Sequence, residues 1–390
     1  MRVAIVHDWL VGMRGGERCL EIITEIIPNA DIYTLFLERD NLSPALQAQK
    51  IYPSVLQKLP FVNKYYRYLL PFYKFAVEDI NQKLQAEKYD LVISISHCVA
   101  KNITPPRGAY HLCYCLTPAR YFFDHYETYF SGKKLEPLIR QVVSYLRKWD
   151  LEKVVSVDKF CAISNFVKER IANIYKRDAE VVYPPVRQDW PAANIKTNNP
   201  QGFLCVSALV PYKNVELIVD AFNVLSLPLT IVGSGPEEKK LKKKAKNNIK
   251  FVDFVDDEEL SDIYAGAQAF VFAAKEDFGI TPVEAQAHGK PVVCFGEGAV
   301  LETVVGKGPE STGVFFYDLS VEGLIDAVKH FYHRQEEITV DNCLRQAEKF
   351  SVEIFKDNFR ELLKDSGFEF NCADDPIPNS LLANVGKIKG

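Results

Sequence analysis

This 390-residue sequence predicts an α/β protein of two doubly wound, Rossmann-like domains facing each other across a cleft. Three observations carry that prediction. Apolar runs of strand length alternate with stretches of helical period along nearly the whole chain. The alternation breaks once, at Tyr183-Pro184-Pro185-Val186 and the polar, Asn-rich stretch 193–201, and restarts at Phe203. The length also suits two cores rather than one. The expected boundaries are 1–186 and 187–365. Residues 366–390 form a tail with Pro376, Pro378 and several Asn, expected to strap the surface and return to the first domain.

The first series opens with the strand Val3–Val6, then a loop holding Gly12, Gly15 and Gly16. In the following helix Cys19, Ile22, Ile23, Ile26 and Ile27 share one face before Pro28 stops it. Further strands are expected at Leu91–Ser94, Tyr110–Leu116, Lys159–Ile163 and Glu180–Tyr183. Ser164 or Asn165 caps a helix that runs to about Tyr175. The second series reads Phe203–Ser207, Leu229–Val232, Ile249–Val252, Ala269–Ala273, Pro291–Phe295 and Gly313–Phe316, with helices in the gaps. In such sheets the loops at the strands' carboxyl ends face the ligand.

Composition narrows the function classes. With 47% hydrophobic and 25% charged residues the chain is of globular type, and a formal charge of -4 argues against nucleic acid as a partner. Nine cysteines are scattered singly, mostly in apolar runs, and no N-terminal signal segment is evident. That usage predicts reduced thiols and a cytoplasmic location. Cys113 and Cys115 share a strand face near His111, but no second Cys/His pair has ligand spacing, so no metal is expected there. No apolar run approaches the roughly 18 residues needed to span a bilayer.

The most informative stretch is Glu276-Asp-Phe-Gly-Ile-Thr-Pro-Val-Glu284, directly after the strand Ala269–Ala273. Gly279 permits a tight turn. Thr281, Pro282 and Glu284 read as N-cap, first helical position and capping-box acid. Two carboxylates and free backbone N–H groups then converge at a strand-to-helix junction, which suits a polyhydroxylated, anionic ligand. The plainer alternative is a capping box beside a solvated loop acid. Gly15 and Gly16 lack the dinucleotide fingerprint, yet permit close approach of phosphate or sugar to a helix start; a simple tight turn is the other reading. Gly233-Ser-Gly235-Pro-Glu237 is their counterpart in the second series. The charge run Lys239–Lys246 reads as a solvated helix face. Lys213, before a helix that Asn214 is expected to cap, can reach a diphosphate or can be an ordinary surface lysine.

In order, Gly15-Gly16-Glu17-Arg18, Ser164-Asn-Phe-Val with Tyr183-Pro-Pro-Val186, Leu209-Val-Pro-Tyr-Lys213, Gly233-Ser-Gly-Pro-Glu237 and Glu276-Asp-Phe-Gly-Ile…Glu284 make a specific set. To about residue 365 the chain resembles the retaining, group 1 type glycosyltransferases of family 4, which have the GT-B fold and an E-x7-E element. The resemblance implies that Glu276 faces the hydroxyls of the donor sugar and Glu284 those of the ribose. Backbone groups at Phe278, Gly279 and Ile280 meet sugar and phosphate. Lys213 holds the diphosphate while Gly15, Gly16, Glu17, Arg18 and Gly233 complete the donor site, and the segment Phe254-Val255 reads the base. The implied reaction is hexose transfer from a nucleotide-sugar to a glycan or lipid-linked acceptor in bacterial polysaccharide synthesis, with UDP-glucose first and GDP-mannose second as donor. No cofactor or metal is expected: with no Asp-x-Asp pair at a strand end, Lys213 and helix N-termini would stabilise the leaving diphosphate.

Two departures matter. Ala208 stands where relatives carry an arginine, and Arg18 is the candidate replacement across the cleft. Leu116 stands where relatives place a histidine, which leaves His97, at the end of another strand, as the candidate to contact donor sugar; the alternative is a structural histidine. Residues 58–74 interleave Lys and Arg with Tyr, Phe and Leu. They read either as a peripheral contact with the inner face of the plasma membrane or as an aromatic helix packed on the first domain. Tyr121–Tyr126 add aromatics suited to sugar stacking or to the core. A nucleotide-sugar epimerase of the same fold and a non-catalytic nucleotide-sugar-binding subunit are the rival classes.

Overall fold

The computed structural model describes residues 1–123, 136–188, 201–253 and 255–370. Two parallel sheets organise it. The first contains β1 (Val3–His7), β2 (Asp31–Thr34), β3 (Ile51–Pro53), β4 (Leu91–Ser96), β5 (Tyr110–Cys115), β6 (Lys159–Ala162) and β7 (Ala179–Val181), in the order β3-β2-β1-β4-β5-β6-β7. The second contains β8 (Phe203–Val206), β9 (Leu229–Val232), β10 (Ile249–Val252), β11 (Ala269–Phe272), β12 (Val292–Phe295) and β13 (Gly313–Phe316), in the order β10-β9-β8-β11-β12-β13. All expected strands form, to within three residues at each end. The short β2 and β3, flanking β1, were not read from the sequence.

Both sheets are buried on their two faces, so strands such as Leu91–Ser96 and Val292–Phe295 contain no exposed residue. Strand order reverses between β1 and β4 in the first sheet and between β8 and β11 in the second. At such a reversal the flanking helices lie on opposite faces, and a crevice opens beyond the strands' carboxyl ends. Asp8 and His97 follow β1 and β4; Lys213 and Glu276 follow β8 and β11. Topology alone therefore gathers both candidate sets at crevices.

The chain crosses back earlier than residue 366. Helix Val352–Asp365, assigned by sequence to the second domain, packs on the first. Phe355, Phe359, Leu362 and Leu363 share a core with Cys19 and Ile23, Tyr114 meets Phe355 and Phe359 edge-on, and Lys356 pairs with Glu25 at 2.9 Å. The apolar stripe of this helix fits a face that the first domain leaves open. Phe368 continues the contact against Tyr110. The remaining tail, 371–390, and the linker stretch 189–200 lie outside the described residues.

Candidate functional site

Beyond β8, the chain turns through a short 3-10 helix, Pro211–Lys213. This loop lies against the segment after β9. A Cβ on Gly233 would fall 2.1 Å from Ser207 O and one on Gly235 2.4 Å from Leu209 O, so both positions need glycine. Ala208 is exposed and adds no charge. Asn214 does not cap the next helix with its side chain. It takes a left-handed conformation, φ 54°, and donates to Ala273 O at 2.9 Å, tying this loop to the end of β11. Lys213 thereby faces Glu276: Nζ lies 2.6 Å from Oε1, in ion-pair rather than hydrogen-bond alignment.

The Glu276 loop corrects the capping expectation. Its helix runs Ile280–Ala287, with Gly279 in the N-cap position at φ 83° and no side-chain cap. Thr281 lies inside the first turn. Glu284 makes no capping box and instead accepts from the Tyr264 hydroxyl at 3.0 Å. Burial pushes its carboxyl above the usual range, and the positive charge of Arg18 opposes that rise. Phe278 is buried against Tyr183 and Phe350, leaving only its main chain to a ligand. Val255 is half-buried beside the core of the second sheet, and Phe254 lies outside the described residues.

Across the crevice, helix Gly15–Ile26 begins with the glycine pair. A Cβ on Gly15 would come 2.6 Å from Ile280 Cδ1, so the glycine loop meets the Glu276 loop of the other domain. A Cβ on Gly16 would strike Leu116 Cδ1 at 2.8 Å; the leucine fills space over the loop. Glu17 turns inward. It accepts from Arg14 N at 3.2 Å, and burial pushes its carboxyl up to about 7. In this position it supports the helix start. Arg18 stands 3.7 Å from Asp257. Its positive charge also acts on Glu284.

Asp8, which sequence reading missed, is fully buried and accepts from the backbone N–H groups of His97, Cys98, Val99 and Ala100 at 2.6–2.8 Å. This fixes the turn after β4. His97 Nδ1 lies 3.2 Å from Asp8 Oδ2, and its ring meets Trp9 edge-on at 4.4 Å. Burial lowers its pKa, favouring neutral imidazole. His111, near Cys113 and Cys115, is held by Ser94 and the Ser156 carbonyl. The eight described cysteines are buried and free.

The cation facing the Lys213–Glu276 pair is Arg120, also missed. Its Nη2 lies 3.5 Å from Glu276 Oε2, its Nε donates to Asp277 Oδ2 at 2.8 Å, and its guanidinium sits 5.9 Å from the Tyr212 ring centroid. Nothing in the spacing of residues 120 and 276 foretells this contact, because different domains supply them. Of the expected aromatics, Phe122 is fully buried among core side chains, and 124–126 lie outside the described residues.

Comparison with known proteins bears on the fold and on the family of the second domain. Residues 186–350 match the family model described as glycosyl transferases group 1. An uncharacterized glycosyltransferase of Methanocaldococcus jannaschii is 25% identical over 154 residues, 38% of this chain and 43% of the relative. A D-rhamnosyltransferase of Pseudomonas aeruginosa is 33% identical over 101 residues, 24% of this chain and 26% of the relative. The chain thus spans less than half the length of these curated relatives. Among solved structures, Anabaena HepE in complex with UDP superposes with a TM-score of 0.70 at 17% identity, covering 94% of this chain and all of that one. Sucrose-phosphate synthase of Thermosynechococcus elongatus gives 0.67 at 16%, covering 94% and 99%. The architecture is the GT-B fold, and the domain that carries Lys213, Glu276 and Glu284 matches the group 1 glycosyltransferase family.

Proposed function

We propose that the protein is a retaining hexosyltransferase that moves a sugar from a nucleotide-sugar donor to a glycan or lipid-linked acceptor in polysaccharide synthesis, without a metal. The observation that carries this reading is the Lys213–Glu276 pair at the reversal of the second sheet, with Glu284 one helical turn beyond the Gly279 turn. Glu276 would hold the hydroxyls of the sugar and Glu284 those of the ribose. Lys213 and the start of helix Ile280–Ala287 would stabilise negative charge building on the departing diphosphate. Attack on the same face of the sugar, with a diphosphate oxygen taking the acceptor's proton, needs no protein nucleophile. His97, neutral and beyond β4, is placed in this proposal to meet the donor sugar from the first domain.

UDP-glucose is the favoured donor and GDP-mannose the second. The fold match to HepE structures in complex with UDP and with UDP-glucose supports the first. O-antigen mannosyltransferases among the partial relatives support the second. A thermal-shift series with UDP, GDP and ADP, followed by hydrolysis assays with the matching sugars, tests the reading. One nucleoside diphosphate should raise the melting temperature, a ligand at a hundred times its Kd adding about 2.7 kcal/mol. Absence of any shift, together with no turnover of any donor, would overturn it.

We further propose a peripheral membrane contact through 58–74. Phe61 and Tyr68 are about four-fifths exposed, and Phe72 and Phe75 more than half. Lys58, Lys64, Arg67 and Lys74 stand among them on the surface. Tyr66, Leu70 and Tyr73 turn inward to Trp9 and Phe36. The segment is thus both packed and outward-facing, and its outer side has the amphipathic, basic character of a surface that binds anionic lipid. No described helix is long and apolar enough to cross a membrane.

A further inference from the structure

Asp277, next to Glu276, has no role in the donor chemistry proposed above, yet it is buried and held by the other domain. Its side chain accepts from Arg120 and Arg170, both of the first domain, and its main-chain carbonyl accepts from Ser164 Oγ at 2.6 Å. The same Ser164 oxygen caps helix Asn165–Tyr175 through Val167 N at 3.0 Å. The two guanidinium groups hold the Asp277 carboxyl below the usual carboxylate range despite its burial.

A second acid of the C-terminal domain grips the same helix start. Glu302 accepts from Asn165 N at 2.8 Å, Asn165 Nδ2 at 2.9 Å, Phe166 N at 2.9 Å and the Tyr183 hydroxyl at 3.0 Å. Two carboxylates of one domain therefore dock on one helix N-terminus and two arginines of the other, where free N–H groups and positive charge favour anions. Glu302 anchors the body of the domain. Asp277 anchors the loop itself.

We infer that Asp277 is a positioning residue: clasped by Arg120, Arg170 and Ser164 of the first domain, it sets the backbone from which Glu276 reaches the donor sugar. The inference rests on the proposed function for what Glu276 does, but not for how the loop is held. A buried acid between two arginines leaves one net positive charge, and Arg120 extends it to Glu276 at 3.5 Å. Glu276 is thus placed only where the two domains meet, and the donor pocket of the second domain is incomplete without the first.

The test compares Asp277→Asn with wild type in the full chain by three measurements. These are hydrogen exchange of the Phe278–Ile280 amides, nucleoside diphosphate affinity and donor turnover. Exchange should accelerate at least tenfold and kcat should fall at least tenfold, with nucleoside diphosphate affinity falling by a smaller factor than kcat, since Glu284 and the Gly233 loop are not held by Asp277. Unchanged exchange in the variant overturns the inference. If no donor is turned over even by wild type, the proposed function fails, while the exchange result still decides the role of Asp277. Should Asp277→Asn not fold, Arg120→Gln, which leaves Asp277 paired with Arg170, carries the same exchange criterion. Arg120→Lys should then restore kcat in part; rescue absent alongside unchanged exchange again overturns the inference.

Discussion

Lys213 and Glu276 neutralise each other across the second crevice, 2.6 Å apart, with each side chain less than one-fifth exposed. A bound diphosphate must take Lys213 from Glu276, and the two substitutions this suggests, one at each partner, have opposite signs for binding. Glu276→Gln frees the ammonium and removes a negative charge beside the phosphates. Nucleoside diphosphate should bind up to about tenfold tighter, roughly 1.4 kcal/mol, while transfer falls at least about 100-fold for want of the sugar-facing carboxylate. Lys213→Ala should weaken binding by about tenfold or more. Calorimetry with the preferred nucleoside diphosphate checks both; equal weakening in the two variants contradicts competition.

Arg18 acts on this site through Glu284. Burial raises the pKa of Glu284, so its ionised form, the one able to accept two ribose hydroxyls, is lost at a higher pH than for an ordinary carboxylate. Arg18 opposes that rise. In Arg18→Ala the acid limb of nucleoside diphosphate binding should therefore move to higher pH, with a larger loss of affinity on the acid side than at alkaline pH. A loss of equal size on both sides would instead indicate direct contact of Arg18 with the diphosphate.

Glu17 gives a stability prediction with a definite pH window. Its folded pKa is about 7 against an ordinary value of 4.5. Between those values the folded protein keeps a proton that the unfolded chain has released, so this group's contribution to stability falls as pH rises from about 4.5 to 7 and stays low above. Glu17→Gln removes the ionisation and still accepts from Arg14 N through its amide oxygen. Its stability relative to wild type should grow across that window, by on the order of 3 kcal/mol at pH 8. Denaturant unfolding at pH 4.5 and 8 measures it; a constant difference refutes the assignment.

The outward aromatics of 58–74, with Phe75 beside them, should govern membrane contact. Vesicles containing anionic lipid should float the wild-type protein, and high salt should reduce flotation because the lysines and arginines contribute by long-range attraction. Phe61→Ser with Phe72→Ser should lower binding at any salt, since both rings are exposed and their loss leaves the core intact. No flotation of wild type ends the proposal.

What the sequence made legible follows from how local each signal is. Ser164 was readable as a helix cap because its partner, Val167 N, lies three residues on. Most strands were readable because both sheets are buried, so each strand is an uninterrupted apolar run; β3, with Tyr52 exposed and Pro53 at its end, is not. Thr281 misled because a Thr-Pro-Val-Glu pattern carries capping chemistry, while Gly279, free to adopt φ 83°, starts the helix two residues earlier. Helix Val352–Asp365 was misassigned because an apolar stripe does not say which domain it covers. Arg120, Asp277 and Glu302 act through contacts 107 to 157 residues apart, and no periodicity reports such pairing.

A close backbone approach in the second domain sets up a contrast between two glycines. Gly235 lies against Leu209, where an added Cβ would stand 2.4 Å from the carbonyl oxygen and 2.9 Å from the nitrogen. Backbone, unlike the tip of a side chain, cannot rotate away. Leu209 is itself fixed, fully buried, donating to Ser234 O at 2.9 Å and accepting from Glu237 N at 3.1 Å. Gly235→Ala must therefore shift the loop 207–213 as a unit, and Lys213 with it. Stability should fall by about 1–3 kcal/mol, the usual cost of forcing extra volume into a packed site, and nucleoside diphosphate affinity should fall too. Gly266, where an added Cβ meets nothing within 4 Å, ends a helix of the same domain. Gly266→Ala should leave affinity unchanged and stability equal or slightly higher. Melting temperature and calorimetry on the two variants decide the matter: a Gly235→Ala protein that binds like Gly266→Ala would mean the loop does not position Lys213.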